Sequence, residues 1–115
     1  MNNLRNKVHL IGRLGSDPEL FNFDGGKIKA NLTVATNYKY KNQSGELVSD
    51  TQWHNLIAWG KTAEQIGKLL KKGKEVAIDG KLTSRKYQDK EGAQRSITEI
   101  VVNEFLLLDR SKEEE

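Results

Sequence analysis

The chain has 115 residues, 36% hydrophobic and 30% charged, which suits one compact domain and is short for two separate cores. It has no cysteine, so disulfides, thiolate metal sites and cysteine nucleophiles are excluded together. The net charge of +3 is modest, no run of about 18 apolar residues occurs, and the opening from Met1 to Lys7 lacks a secretory apolar stretch, so a soluble cytoplasmic protein is expected.

In chain order, a strand is predicted from about Asn6 to Leu14, ended by Gly15 and the turn residues Ser16-Asp17-Pro18. Asp24-Gly25-Gly26 marks a hairpin bend into the segment Lys27 to Thr36, where Ile28, Ala30, Leu32 and Val34 fall on every second position and define one buried face. Phe21 and Phe23, without adjacent cations, are assigned to the core, as is Phe105. Tyr38 to Glu46 is polar and turn-rich and is expected to form a long hairpin loop. Thr51 to Trp59 brings the chain back with Trp53, Asn55, Ile57 and Trp59 on one face and His54, Leu56 and Ala58 on the other. Helical spacing of Ala63, Ile66, Leu69 and Leu70 predicts one helix over Lys61 to Gly73, with a Thr62-x-x-Gln65 capping box, lysines in the last turn and Gly73 as a left-handed cap. Two strands follow, Val76 to Tyr87 and Ala93 to Leu107, joined by a tip at Gln88 to Gly92.

Three strands, a helix and two strands predict an all-β fold: five antiparallel strands curled into an oligonucleotide/oligosaccharide-binding barrel with the helix plugging one end. An SH3-like barrel is the rival, but it rarely carries a full helix between its third and fourth strands. The domain is expected to occupy residues 1–110, with an acidic, disordered end at 111–115. Ser111 to Glu115 hold one Lys and three Glu, so the body carries 18 basic against 13 acidic side chains. That excess suits an anionic polymer better than a lipid surface, since no basic amphipathic helix is present.

Rings and cations alternate where the chemistry is expected. Tyr40, Trp53, Trp59 and Tyr87 stand close to Lys39, Lys41, Lys61, Arg85 and Lys86. Base stacking on a ring is worth about 1–3 kcal/mol for any base, and the cations neutralise phosphates. The expected product is a sequence-tolerant groove for unpaired strands. For the two tryptophans the bland alternative is core packing, but Leu56 and Ala58 already supply a core face to that strand. Ile100-Val101-Val102 and Phe105 to Leu108 are apolar on both faces, which predicts a second buried face and hence another subunit.

The chain resembles the bacterial single-stranded DNA-binding protein family over nearly its whole length. The resemblance is carried by Asn6-Lys7-Val8, Ile11 to Glu19, Ala35-Thr36, Trp53-His54, Gly60-Lys61-x-Ala63-Glu64, Lys72-Gly73, Arg85-Lys86-Tyr87 and Thr98 to Asn103. It implies a homotetramer of barrels around which single-stranded DNA wraps during replication, recombination and repair, in the cytoplasm at the nucleoid. It places stacking rings at Tyr40, Trp53, Trp59 and Tyr87, adds Lys7 and Lys72 to the phosphate contacts, and assigns His54 to a subunit interface. Ring type at Tyr40, Trp59 and Tyr87 differs from that of the best-known members. The resemblance departs at the C-terminus: members continue through a flexible linker to an acidic tip ending in Phe that recruits other proteins, whereas this sequence stops at Lys112-Glu113-Glu114-Glu115. Recruitment by that tip is not implied.

Catalysis, metals and cofactors are not expected. There is no phosphate-cradling Gly-x-x-x-x-Gly-Lys-Ser/Thr, and only His9 and His54 could serve as imidazole ligands. Two alternatives are a replication-restart accessory barrel, mainly a protein-binding dimer, and an RNA-binding barrel of the cold-shock kind, whose clustered Phe-rich motifs are absent.

Overall fold

The computed structural model describes residues 3–109. The acidic segment 111–115 lies outside the described residues. After a 3-10 turn at Asn3–Arg5 come β1 (Val8–Leu14), β2 (Glu19–Phe23), β3 (Lys27–Lys41), β4 (Leu47–Trp59), α1 (Gly60–Leu69), β5 (Glu75–Gln88) and β6 (Gln94–Leu107). The strand order is β1-β5-β6-β4-β3-β2, and β1 also pairs with β3 at Arg13↔Ala35 and Leu14↔Val34. Five strands therefore close on themselves, the oligonucleotide/oligosaccharide-binding architecture, and closure removes the exposed edges that a flat sheet would leave. Gly12 permits the closing seam: a Cβ there would lie 2.2 Å from the Ala35 carbonyl oxygen.

The alternation that predicted the strands fills the barrel. Ala30, Leu32 and Val34 of β3, Leu56 and Ala58 of β4, Val76 and Ile78 of β5 and Ile100 and Val102 of β6 form the core. Ala63 and Ile66 of α1, followed by Leu70, plug one end. Full burial of an Ile or Leu side chain stabilises by about 1.5–3 kcal/mol, which anchors α1.

Several expectations are corrected. Not every pairing is antiparallel: β4 and β6 run parallel at Leu56↔Ile100 and Ile57↔Val101, and Ile57 is buried beside β6 although it shares the face of the tryptophans. The polar segment from Tyr38 onward is not a loop. β3 and β4 pair continuously from Lys29↔Trp59 to Lys41↔Leu47, so the loop shrinks to the tip. There the Asn42 side-chain oxygen accepts the N–H groups of Ser44 and Glu46 at 2.9 and 3.0 Å. Asp89 does the same at the β5–β6 tip, accepting from Glu91 and Ala93 at 2.9 Å each. In both tips a short acceptor side chain closes the turn locally, which lets a polar ribbon hold its register.

The helix begins one residue earlier than expected, directly off β4. Trp59 is its N-cap residue, no side chain caps it, and Thr62 already lies inside the first turn, so the capping box does not form. At the other end Leu70 turns extended, with φ −104°, and is buried. The helix therefore stops before Lys71 and Lys72, leaving Lys68 in its last turn, and Gly73 (φ +87°) serves the turn into β5 instead of capping the helix.

β2 is an additional strand. It pairs with β3 from Glu19↔Asn31 to Phe23↔Lys27. Phe21 and Phe23 are exposed on it, contrary to the core assignment, because Leu20 on the opposite side is the residue that meets α1: a Cβ on Gly67 would lie 2.4 Å from a Leu20 methyl. Phe105 does pack against the core.

Candidate nucleic-acid interface

The site is built on the outer side of β3 and β4. Antiparallel partners share a side, so Lys29↔Trp59 and Ala35↔Trp53 put both indoles outward with Asn31 and Thr33 between them. Trp53 keeps 63% of its surface exposed and Trp59 46%, so neither ring is in the core. Trp53 lies across Gly15, where a Cβ would come within 2.4 Å of the ring. The bare backbone of Gly15 thus sets how the indole lies. Trp59 is braced by Lys29, whose Nζ sits 5.4 Å from the ring centroid, and by Phe23 at 6.2 Å between centroids.

Between the tryptophans a cleft of about 270 Å³ is lined by Asn31, Thr33, Asn55, Arg85, Ile97 and Glu99 among others. It joins β5 and β6 to the face of β3 and β4. Glu99 is buried and its Oε1 accepts from Arg85 Nε at 3.0 Å. A buried carboxylate is costly unless paired, so Glu99 fixes the guanidinium while the rest of Arg85 remains exposed. The Asn31 side-chain oxygen is buried here without a hydrogen-bond partner among the described residues.

The other predicted residues are distributed as follows. Tyr87 is exposed and alternates with Arg85 on β5, so it continues the same side. Lys86 points to the opposite side. Lys39 and Lys41 alternate with the Ala35 side and share the face of Trp53, whereas Tyr40 falls on the other face of the ribbon. Lys61 is exposed at the start of α1, close to Trp59, and Lys72 is exposed in the α1–β5 turn, which Asp17 braces by accepting its backbone N–H at 2.8 Å. Lys7 is set apart: its Nζ lies 2.6 Å from Asp79 Oδ1, six residues before Arg85 on β5. His54 is half-buried on the inner side, sharing a hydrogen bond with the Thr36 hydroxyl at 3.0 Å.

Sequence reasoning missed Tyr38, which is exposed and stacked on Tyr40 with centroids 6.0 Å apart and planes 23° apart. Its spacing of two from Tyr40 was the available signal. It also missed Lys29 and Phe23 beside Trp59, which only the pairing register brings together. Among the described residues no group of three or more His, Asp or Glu side chains could hold a metal ion, and no helix is long and apolar enough to cross a membrane.

The closed five-stranded barrel with one short helix puts the protein in the oligonucleotide/oligosaccharide-binding fold class. Residues 5–108 match the single-strand binding protein family, and the chain belongs to that family. It is 45% identical over 103 residues to the single-stranded DNA-binding proteins of Neisseria meningitidis serogroup A and of serogroup B, covering 90% of this chain. The chain spans 59% of the length of those relatives. Among solved structures it is similar to a Plasmodium falciparum SSB in complex with ssDNA, with a TM-score of 0.80 and 34% identity over 90% of this chain and 95% of that one. It is also similar to a deletion mutant of the single-stranded DNA-binding protein from Thermus aquaticus, with a TM-score of 0.78 and 28% identity over 90% of this chain and 50% of the other.

Proposed function

We propose that this barrel, as a domain spanning 1–110, binds and protects single-stranded DNA without sequence preference, in the cytoplasm during replication, recombination and repair, and that it binds rather than catalyses. The observation that supports the proposal is the outer face of β3 and β4, where Trp53 and Trp59 stand outward on either side of a cleft lined by Asn31, Thr33, Asn55 and Arg85. Bases stack on the rings; phosphates meet Lys39, Lys41, Lys61 and Lys72. Arg85, pinned by Glu99, offers its remaining N–H groups at low entropic cost. Tyr40 and Lys86, on opposite sides from their neighbours, serve a strand that wraps around the ribbons instead of lying along one face. Lys7, already neutralised by Asp79, contributes least.

The family resemblance further supports a homotetramer with His54 at a subunit contact. A row of side chains, Ile11↔Ala77↔Leu106, crosses β1, β5 and β6 with Ile11 and Leu106 exposed, which favours a second copy over that sheet.

Titration with oligo-dT tests the central claim. Fluorescence of Trp53 and Trp59 should be quenched to saturation, and an RNA oligomer of equal length should compete poorly. An unchanged emission spectrum at saturating DNA would remove the tryptophans from the binding face.

A further inference from the structure

We propose that β2 carries an additional base-stacking platform, formed by Phe23 and Phe21 beside Trp59, which extends the single-strand track of each barrel toward the β2–β3 turn. The inference rests on the nucleic-acid role of the Trp53 and Trp59 face, and it adds a site for one or more unpaired nucleobases. Alternation along β2 puts Leu20 toward α1 and leaves Phe21 and Phe23 on the other side, 40% and 48% exposed. Two Phe rings side by side in water are an unfavourable surface unless something covers them.

Charge and continuity point to a polynucleotide as the cover. Register places Phe21↔Lys29↔Trp59 in one row across β2, β3 and β4, with Phe23↔Lys27 in the neighbouring row. Across the strands a column of rings on β2 therefore lies beside a column of ammonium groups on β3, with Trp59 beyond it, and neither Lys27 nor Lys29 has an ion-pair partner among the described residues. Phe23 touches Trp59 at 6.2 Å with the planes 34° apart, so the platform is joined to the indole face. A hollow of about 480 Å³ opens beside Trp59, lined by Gly26, Lys27, Ile28 and Gly60. An apolar protein surface laid here would have to desolvate two lysines, whereas a polynucleotide brings a stacking base to each ring and a phosphate to each cation.

The test uses the full chain and oligo-dT carrying 5-iododeoxyuridine at single positions, with photocrosslinked peptides identified by mass spectrometry. Crosslinks should fall within β2 as well as at Trp53 and Trp59. Phe23→Leu and Phe21→Leu, which keep an apolar side chain but remove the ring, should weaken oligo-dT binding about fivefold or more with native mass and melting temperature unchanged. If both variants bind like the parent while Trp53→Ala is impaired, the platform is refuted and the indole face stands. If neither β2 nor the tryptophans crosslink and no quenching occurs, the nucleic-acid role itself falls. If the Leu variants change the native mass but not affinity per subunit, β2 is a subunit contact and the proposal is overturned.

Discussion

Trp53 is the most exposed ring of the face, and its orientation depends on a neighbour that has no side chain. Because 63% of the residue is in solvent, Trp53→Ala removes little packing and should leave the melting temperature within a degree or two. Affinity for oligo-dT should fall by about 1–3 kcal/mol. Gly15→Ala is the sharper experiment: its backbone does not need a positive φ, but the added methyl would collide with the indole. The expected result is a shifted Trp emission and weaker binding from a folded protein. Unfolding of Trp53→Ala would show that the ring supports the barrel. For the cations, Lys39→Ala and Lys41→Ala should each reduce the slope of log affinity against log salt by about 0.7 if each meets one phosphate. An unaltered slope for both would place the backbone path elsewhere.

At the scale of elements, period-two patterns made the barrel strands legible, since each has one face in the core and one in solvent. The failures have physical causes. β3 and β4 extend beyond the core as a ribbon, where no buried face imposes a pattern and Asn42 closes the tip locally. β2 is five residues long and offers α1 one apolar side chain, Leu20, so its rings had no periodic context. Thr62-x-x-Gln65 has the spacing of a cap, yet β4 runs straight into the helix and moves the N-terminus ahead of Thr62. Of the candidate site, the outward positions of Trp53, Trp59 and Tyr87 were legible by parity while that of Tyr40 was not, and the Arg85–Glu99 pair and the cleft needed β5 and β6 to be set against β4. One closure lies just after β6. Asp109 Oδ2 accepts from the Glu75 backbone N–H at 2.8 Å and from Arg13 Nη1 at 3.0 Å, and Arg13 also reaches the Gly73 carbonyl. The Glu75 hydrogen bond holds this carboxyl below the usual carboxylate range, with Arg13 reinforcing it against desolvation. A depressed folded value means that its stabilisation is present above the unfolded value of about 3.9 and is lost as pH falls through the folded one. The melting-temperature gap between the parent and Asp109→Asn should therefore be widest near neutrality and close in acid. A gap that stays constant down to pH 2 would separate this contact from acid stability.

For the whole molecule, the two sides of the barrel are asked to do different things. The β3–β4 side is studded with cations and suits a polyanion, while the outer row of Ile11, Ala77 and Leu106 carries no charge at its centre. His9, Asp79 and Glu104 form the next row, so the apolar strip has a polar rim, the arrangement of a subunit contact. Association through this strip would leave the ring face free, and several barrels together would offer one strand more length than any barrel alone. This strip pairs two barrels, and a second contact at His54, as the family resemblance implies, would join the pairs, so the native mass should be that of a tetramer. Ile11→Glu with Leu106→Glu should lower it, because two carboxylates cost little on a solvated monomer face but must be desolvated inside an interface. The separated subunits should still quench with short oligo-dT while losing affinity for long strands, since linked sites gain by effective concentration. A parent protein that runs as a monomer, or a variant with undiminished mass, would sink the assignment of this strip to a second copy.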